Sequence, residues 1–350
     1  PPPHLPQLME TTMKQSFTIV GAGMAGLLAA NMLSRSTTLG RDGNPVQVIE
    51  AQPTLPNNHS AVLRFRSSIV SDVLGIPFKK VRVMRTVQQW RNELASSLAY
   101  SAKATGQIAM RSSIRENSGM VDRYIAPDYL IRDMAEGISI KYGSAFDFTS
   151  QVANESGPVI STVPMPVLAK ALNYRGFDDG AFQYSKGYNM SFRIPGIDVY
   201  GTVYIPDPDC IWNRVSITGD WVVAEYSDIR PRQVNKTLEA LSLGVPLEPR
   251  SVWELVLQAI TPLGLEEIVP LSIVMSSLNV KQQAYQKIMP ISDRKRKQFM
   301  LWASETYNIY SLGRFATWRP GLLLDDLVND VRMIEHFADD NYARRIKGVN

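Results

Sequence analysis

The chain has 350 residues, about two domains' worth, with 45% apolar and 20% charged residues, which excludes a disordered or collagen-like polymer. A single cysteine, Cys210, rules out an internal disulfide or a CxxC redox pair, and three scattered histidines, His4, His59 and His336, make no zinc site. The net charge of +4 is unevenly spread: ten Lys and Arg between Ser60 and Arg115 face only Asp72 and Glu93. A second basic cluster, Lys281, Lys287, Arg294, Lys295, Arg296 and Lys297, is opposed by Asp293 alone. Such asymmetry suggests an anionic ligand or polymer near these segments; solvated helix faces are the plain alternative.

Residues 1–13 are proline-rich without a signal-peptide pattern and read as a flexible leader. No apolar run reaches the ~18–20 residues that span a bilayer, so a cytoplasmic protein with no membrane partner is expected. Structure starts at Ser16. Phe17 to Val20 form a short buried strand, Gly21-Ala22-Gly23-Met24-Ala25-Gly26 satisfies GxGxxG, and Leu27 to Leu33 is strongly helix-forming. Gly21 permits the turn, Gly23 lets a pyrophosphate approach the backbone, and Gly26 lets the helix pack on the strand. Met24 and Ala25 open the helix, whose N–H groups favour phosphates. Val46 to Ile49 is a second strand ending at Glu50, 24 residues after Gly26, placed to accept ribose hydroxyls. Glu50 would repel a 2′-phosphate. These residues predict an adenine dinucleotide, FAD or NAD, rather than NADP.

The later parts are an extended segment, His59 to Arg66, with Arg64 and Arg66 on one face by alternation. Then come a strand from Gly157 to Pro164 leading into a helix over Val167 to Leu172, and a late strand, Asn308 to Phe315, containing Gly313-Arg314. A helix is predicted to begin near Pro320-Gly321 and run from Leu322 to Phe337. This order resembles flavoproteins of the glutathione reductase type, and among them relatives of UDP-galactopyranose mutase, protoporphyrinogen oxidase and amine oxidases. The resemblance implies FAD as the cofactor. It implies an α/β fold: a Rossmann-like FAD-binding domain with a parallel sheet, plus an inserted α+β substrate domain containing an antiparallel sheet. Residues 14–70, 120–172 and 303–345 would form the first domain, and 71–119 and 173–302 the second with its flanking helices. It also implies that Gly313 and Arg314 approach the pyrophosphate and that the helix start at Gly321 and Leu322 faces the flavin. The Gly-Gly pair usual after the ribose acid is replaced by Asn57-Asn58.

Candidate strands Tyr188–Ile194, Val199–Ile205, Ile211–Thr218 and Trp221–Tyr226 make an antiparallel meander broken by proline and glycine turns. Helices are expected at Val87–Tyr100, Pro127–Glu136, Pro231–Leu241, Ser251–Ile260 and Asp293–Trp302. By the resemblance such a sheet roofs the flavin, with Tyr184, Tyr204, Trp212 and Arg214 as candidate substrate residues and core packing as the alternative for the aromatics. His59 beside the flavin could move a proton, and Arg64 and Arg66 could hold phosphates, reduced flavin or an anionic substrate; all three are candidate catalytic residues.

Four functions follow from this reading. The foremost is an FAD-dependent oxidoreductase oxidising an amine by hydride transfer from its C–N bond to flavin N5. A second is a non-redox enzyme like UDP-galactopyranose mutase, with reduced flavin as nucleophile and arginines on a diphosphate. A third acts on an amino-acid substituent of a modified base in DNA, the Lys281–Lys297 cluster tracking phosphates; the strings HSAVLRFRSS and SLGRFATWRPGLLLDD resemble virus-encoded flavoproteins of modified-thymine pathways. The fourth is a non-catalytic FAD-binding protein. The substrate is thus a small molecule or a group carried on nucleic acid, and the sequence leaves the oligomeric state open.

Overall fold

The computed structural model describes residues 16–36, 45–56, 63–88, 91–108, 119–150, 157–227, 229 and 233–346. Phe17–Val20 is apolar and β-branched with Phe17, Ile19 and Val20 buried, and it takes the centre of a five-stranded parallel sheet. Across that sheet the order is Ile309–Ser311, Val159–Ser161, Phe17–Val20, Val46–Ile49, Ser139–Lys141. The helix Met24–Arg35 buries Leu27, Leu28 and Leu33 in one core with Val328, Val331 and Ile334 of the last helix, Leu327–Ile346. The last described helix therefore packs on the first.

The second sheet has eight strands in the order Asn279–Ile288, Tyr184–Arg193, Trp221–Ser227, Arg214–Gly219, Val199–Tyr204, Lys79–Val87, Gly119–Ile125, Arg64–Phe65. All pairings are antiparallel except Lys79–Val87 with Val199–Tyr204. It thus draws on chain segments assigned from sequence to both domains.

Register sorts its side chains onto two unlike faces, because directly paired residues share a face. One face carries Met190, Phe192, Val215, Ile217, Val222 and Ala224, packed against Val252, Leu255, Val256 and Ala259 of the helix Pro249–Ile260. The opposite face carries Arg64, Arg123, Arg85, Tyr204, Thr202, Arg214, Ser216, Thr218, Glu225 and Ser185. That second face is polar around the arginines and carries one apolar patch, Val81, Val83, Val121 and Ile125.

Arg64 shows how strongly the sheet curls. From the terminal strand its guanidinium donates to Thr202 Oγ1 (2.8 Å) and Thr218 Oγ1 (2.5 Å), three and four strands away. At ~4.8 Å per strand a flat sheet would put those acceptors ~14–19 Å off, beyond the reach of one side chain. The polar face is therefore the inside of a curled sheet.

Several expected elements shift. Lys79–Val87 is a strand, and the helix expected from Val87 starts at Glu93, where the Asn92 side chain accepts the Ala95 N–H. Ile211–Asn213 precede the strand that begins at Arg214. The helix expected from Leu322 begins as a 3-10 turn at Leu324–Asp326, where the Asp326 carboxylate accepts the Leu323 N–H, and continues as the α-helix Leu327–Ile346. Trp212 lies fully inside the sheet–helix core and donates Nε1–H to the Leu255 carbonyl (3.0 Å). Trp212→Ala should lower unfolding free energy by about 3–5 kcal/mol in urea titration; a loss below about 1 kcal/mol contradicts this placement.

Candidate active site

The first element of the site is the N-terminal turn. Gly21 has φ +102°, which favours glycine, and a Cβ there would lie 2.1 Å from Thr162 Oγ1. A Cβ on Gly26 would fall 1.9 Å from the Gly21 carbonyl, so this residue is where helix meets strand. Gly23 differs: nothing lies within 4 Å of its Cβ position. It borders a cleft of about 510 Å³ lined also by Gly21, Glu50, Gln52, Thr54, Leu55, Pro56 and Thr162. Glu50 is buried, its two oxygens accepting the N–H groups of Ala22 (2.7 Å) and Gln52 (2.8 Å), which fixes the carboxylate at the cleft and leaves further lone pairs for hydroxyls.

The second element comes from the other end of the chain. Gly313, also at φ +102°, sits so close to the first helix that a Cβ would lie 3.3 Å from that of Ala25. Thr317 donates N–H and Oγ1–H to the Gly313 carbonyl, folding the next residues into turns. Asp325, buried, accepts from the backbone N–H groups of Arg66 and Ser67 and from Ser67 Oγ, tying this segment to the strand edge at Phe65. Met24 and Leu322 are buried in the first core, and Gly321 is exposed in the turns before the helix. The helical segment that follows begins with the 3-10 turn Leu324–Asp326, capped at Leu323.

The third element is the polar sheet face. Arg64 also donates to the carbonyls of Gly201 and Ile217; burial, then the charges of Arg214 and Arg123, pushes its pKa down to about 10. Arg66 lies past the end of the two-residue strand and pairs with Asp326 at 2.7 Å on the surface, so the two arginines do not share partners. Arg85 donates to Tyr204 Oη at 2.8 Å. Burial would raise the Tyr204 phenol, but Arg214 and Arg85 outweigh it and hold its pKa below the ordinary value. Arg214 forms an ion pair with Glu225, which Lys287 also approaches at 3.6 Å. Burial opposes ionisation of Glu225, yet Arg214 and Lys287 bring its pKa down to about 2. Arg314, exposed on one side, is lowered by burial of the rest and by Arg214. Here the cofactor side and the sheet meet.

Of the expected substrate residues, Tyr204 and Arg214 are cross-strand neighbours in this cluster. Tyr184 is exposed and packs its ring on Tyr285 with centroids 4.6 Å apart, next to Ser185, a buried hydroxyl without a hydrogen-bond partner among the described residues. Trp212 is in the core, and His59 lies outside the described residues. The Lys281–Lys297 cluster is dispersed: Lys287 turns to Glu225, Lys295 pairs with Asp178, and Arg296 and Lys297 pair with Asp293. Arg85, Arg123 and Glu225 were not picked out as site residues from sequence, and Lys287 only as part of the second basic cluster. The alternation of Lys80, Arg82 and Met84 with Val81 and Val83 puts Arg85 on the face of the two valines, a signal that could have found it.

No protein-family model and no curated protein matches this chain by sequence. By fold it is similar to reduced UDP-galactopyranose mutase (TM-score 0.63, 13% identity, covering 93% of this chain and 95% of that one). It is also similar to aklavinone-11 hydroxylase in complex with FAD and aklavinone (TM-score 0.51, 14% identity, covering 95% of this chain and 63% of that one). The fold shared with both is a parallel dinucleotide-type sheet joined to a largely antiparallel one. The cleft fits FAD, since Gly23 presents bare backbone and Glu50 a fixed carboxylate. Among the described residues no helix is long and apolar enough to cross a membrane.

Two outcomes follow. Arg64→Ala strips four acceptors of a charged donor and should cost roughly 2–5 kcal/mol of stability, read by chemical denaturation; an unchanged midpoint contradicts its tying role. Glu225 has a folded pKa near 2, below its ordinary 4.5, so its stabilisation is present above pH ~4.5 and lost as pH falls toward 2. Melting temperature against pH should therefore be flatter over that window in Glu225→Gln than in the parent; identical slopes count against the buried pair.

Proposed function

We propose that this chain is an FAD-dependent oxidoreductase that oxidises the C–N bond of an amine carrying its own negative charge, such as a carboxylate or phosphate. Gly21, Gly23, the first turn from Met24 and Ala25, and Gly313-Arg314 would hold the diphosphate, and Glu50 the ribose. Bound FAD would supply the two-electron acceptor for a hydride from the substrate carbon.

One observation carries the reading. Arg64, Arg85, Arg123 and Arg214, from four strands, line one face together with Arg314 from the cofactor side, and Glu225 is the carboxylate set among them. Arg64 already spends its donors on protein. Arg85, Arg123 and Arg314 are the groups available to an anion, whose charge would relieve their mutual repulsion. The same positive field disfavours an ammonium ion and favours the neutral amine, whose lone pair is what expels a hydride. Tyr204, its phenol acidified by Arg214 and Arg85, could exchange a proton with the substrate nitrogen.

The cationic face also favours a second reading, a non-redox enzyme on a sugar nucleotide. The likeness to UDP-galactopyranose mutase over nearly the whole of both chains supports it. That enzyme class would need reduced flavin and give no net electron transfer.

The test is anaerobic mixing of flavin-loaded protein with amino acids, phosphorylated amines and simple alkylamines, following flavin absorbance. Bleaching by the anionic amines is expected, with kcat/KM reduced at least ~10-fold in Arg123→Ala, in line with loss of one charged contact. Equal bleaching by alkylamines sinks the anionic-amine reading. Gly23→Asp should purify without flavin absorbance; retained yellow protein would refute the cofactor placement.

A further inference from the structure

Farther along the same sheet face lies a second cavity, of about 350 Å³, which touches the site above at Thr218, an acceptor of Arg64. Its floor is one cross-strand row. Tyr200 pairs with Thr218, Thr218 with Trp221, and Trp221 with Arg193, so the four side chains share the inner face in that order. Tyr200 and Trp221 are two strands apart, about 9–10 Å between backbones, and the small Thr218 stands between them. Each ring is backed by a cation: the Arg193 guanidinium lies 5.3 Å from the Trp221 ring centroid, and Lys79 Nζ lies 5.2 Å from that of Tyr200. Those cations are themselves anchored, Arg193 to Asp220 at 2.7 Å and Lys79 to Asp198 at 3.4 Å, with Lys79 also donating to Tyr200 Oη at 2.9 Å.

The two rings are thus backed from outside and both line the cavity, on either side of Thr218. Pro77, Ile125, Ala126 and Pro127 give the cavity apolar walls, while Asp128, Asp220 and the backbone at Gly219 supply polar edges. The charges are paired locally, so nothing here selects a bare anion. We propose that this cavity binds a flat, uncharged heteroaromatic ring of nucleobase type, inserted between Tyr200 and Trp221 with its polar edge toward Asp128 and Asp220. Stacking on two rings provides the affinity and the carboxylates accept from ring N–H groups. The site stands independently of the flavin reading, since none of its lining residues borders the dinucleotide cleft.

The experiment is a fluorescence titration of the purified full-length protein with uridine, thymidine, adenosine and guanosine, with ribose as the non-planar control. At least one nucleoside should quench tryptophan emission saturably, and ribose should not. Trp221→Ala should weaken that nucleoside roughly 5- to 100-fold, the range expected for loss of one stacking ring. Trp221→Phe, which keeps a ring, should restore most of the affinity and guards against misfolding of the alanine variant. The proposal is overturned if no nucleoside binds saturably, if ribose binds equally well, or if a folded Trp221→Ala protein binds as tightly as the parent.

Discussion

A buried guanidinium must find acceptors, and Arg64 finds four only because the eight-stranded sheet curls until its last strand comes back over its middle. That single side chain converts an open sheet into a trough. It also joins two parts of the chain, since Arg64 directly precedes Phe65 in the first core while its partners Thr202 and Thr218 belong to the meander. Asp325 makes the complementary tie from the other side, accepting the N–H groups of Arg66 and Ser67. Between them the strand edge at residues 64–67 is held by both the sheet and the C-terminal turn.

The trough concentrates charge at a cost. Arg64, Arg123 and Arg314 are each lowered by burial and by neighbouring arginines. Glu225 pairs with Arg214 and Lys287, and its charge also favours the ionised forms of Arg64 and Arg314. Natural interiors avoid such crowding unless a partner of opposite sign relieves it, and places where it persists are candidates for function. Arg314 follows Gly313, which packs against Ala25 of the first helix, and feels the charges of Arg214 and Glu225, so the turn after the late strand adjoins this face.

How much of this was legible in the sequence depends on the range of the interactions. The turn at Gly21 to Gly26 and the acid at Glu50 were readable because their chemistry is local: a strand, a positive-φ glycine, a helix start, then a second strand. The antiparallel meander was readable from alternation and turn residues. Which residues faced inward was not, because that depends on the pairing of eight strands drawn from residues 64 to 288. Arg85 therefore passed as one more basic residue in a basic stretch, and Arg123, beyond that stretch, was not singled out. Trp212 and Tyr204 looked alike as aromatics near a sheet, yet one lies before its strand and drops into the helix-covered core while the other faces the trough. The late helix was expected from Leu322, close to the observed cap at Leu323, but its first turn, Leu324–Asp326, is a 3-10 turn that apolar spacing does not distinguish from an α-helix.

The most direct test of the central claim, that the curled face is an anion site built from like charges, is the melting temperature of the flavin-loaded protein against inorganic pyrophosphate. A saturable rise is expected, larger than that from chloride at matched ionic strength and diminished in Arg85→Ala and Arg123→Ala. No rise, or one that chloride reproduces in full, would mean that the arginines serve the fold alone.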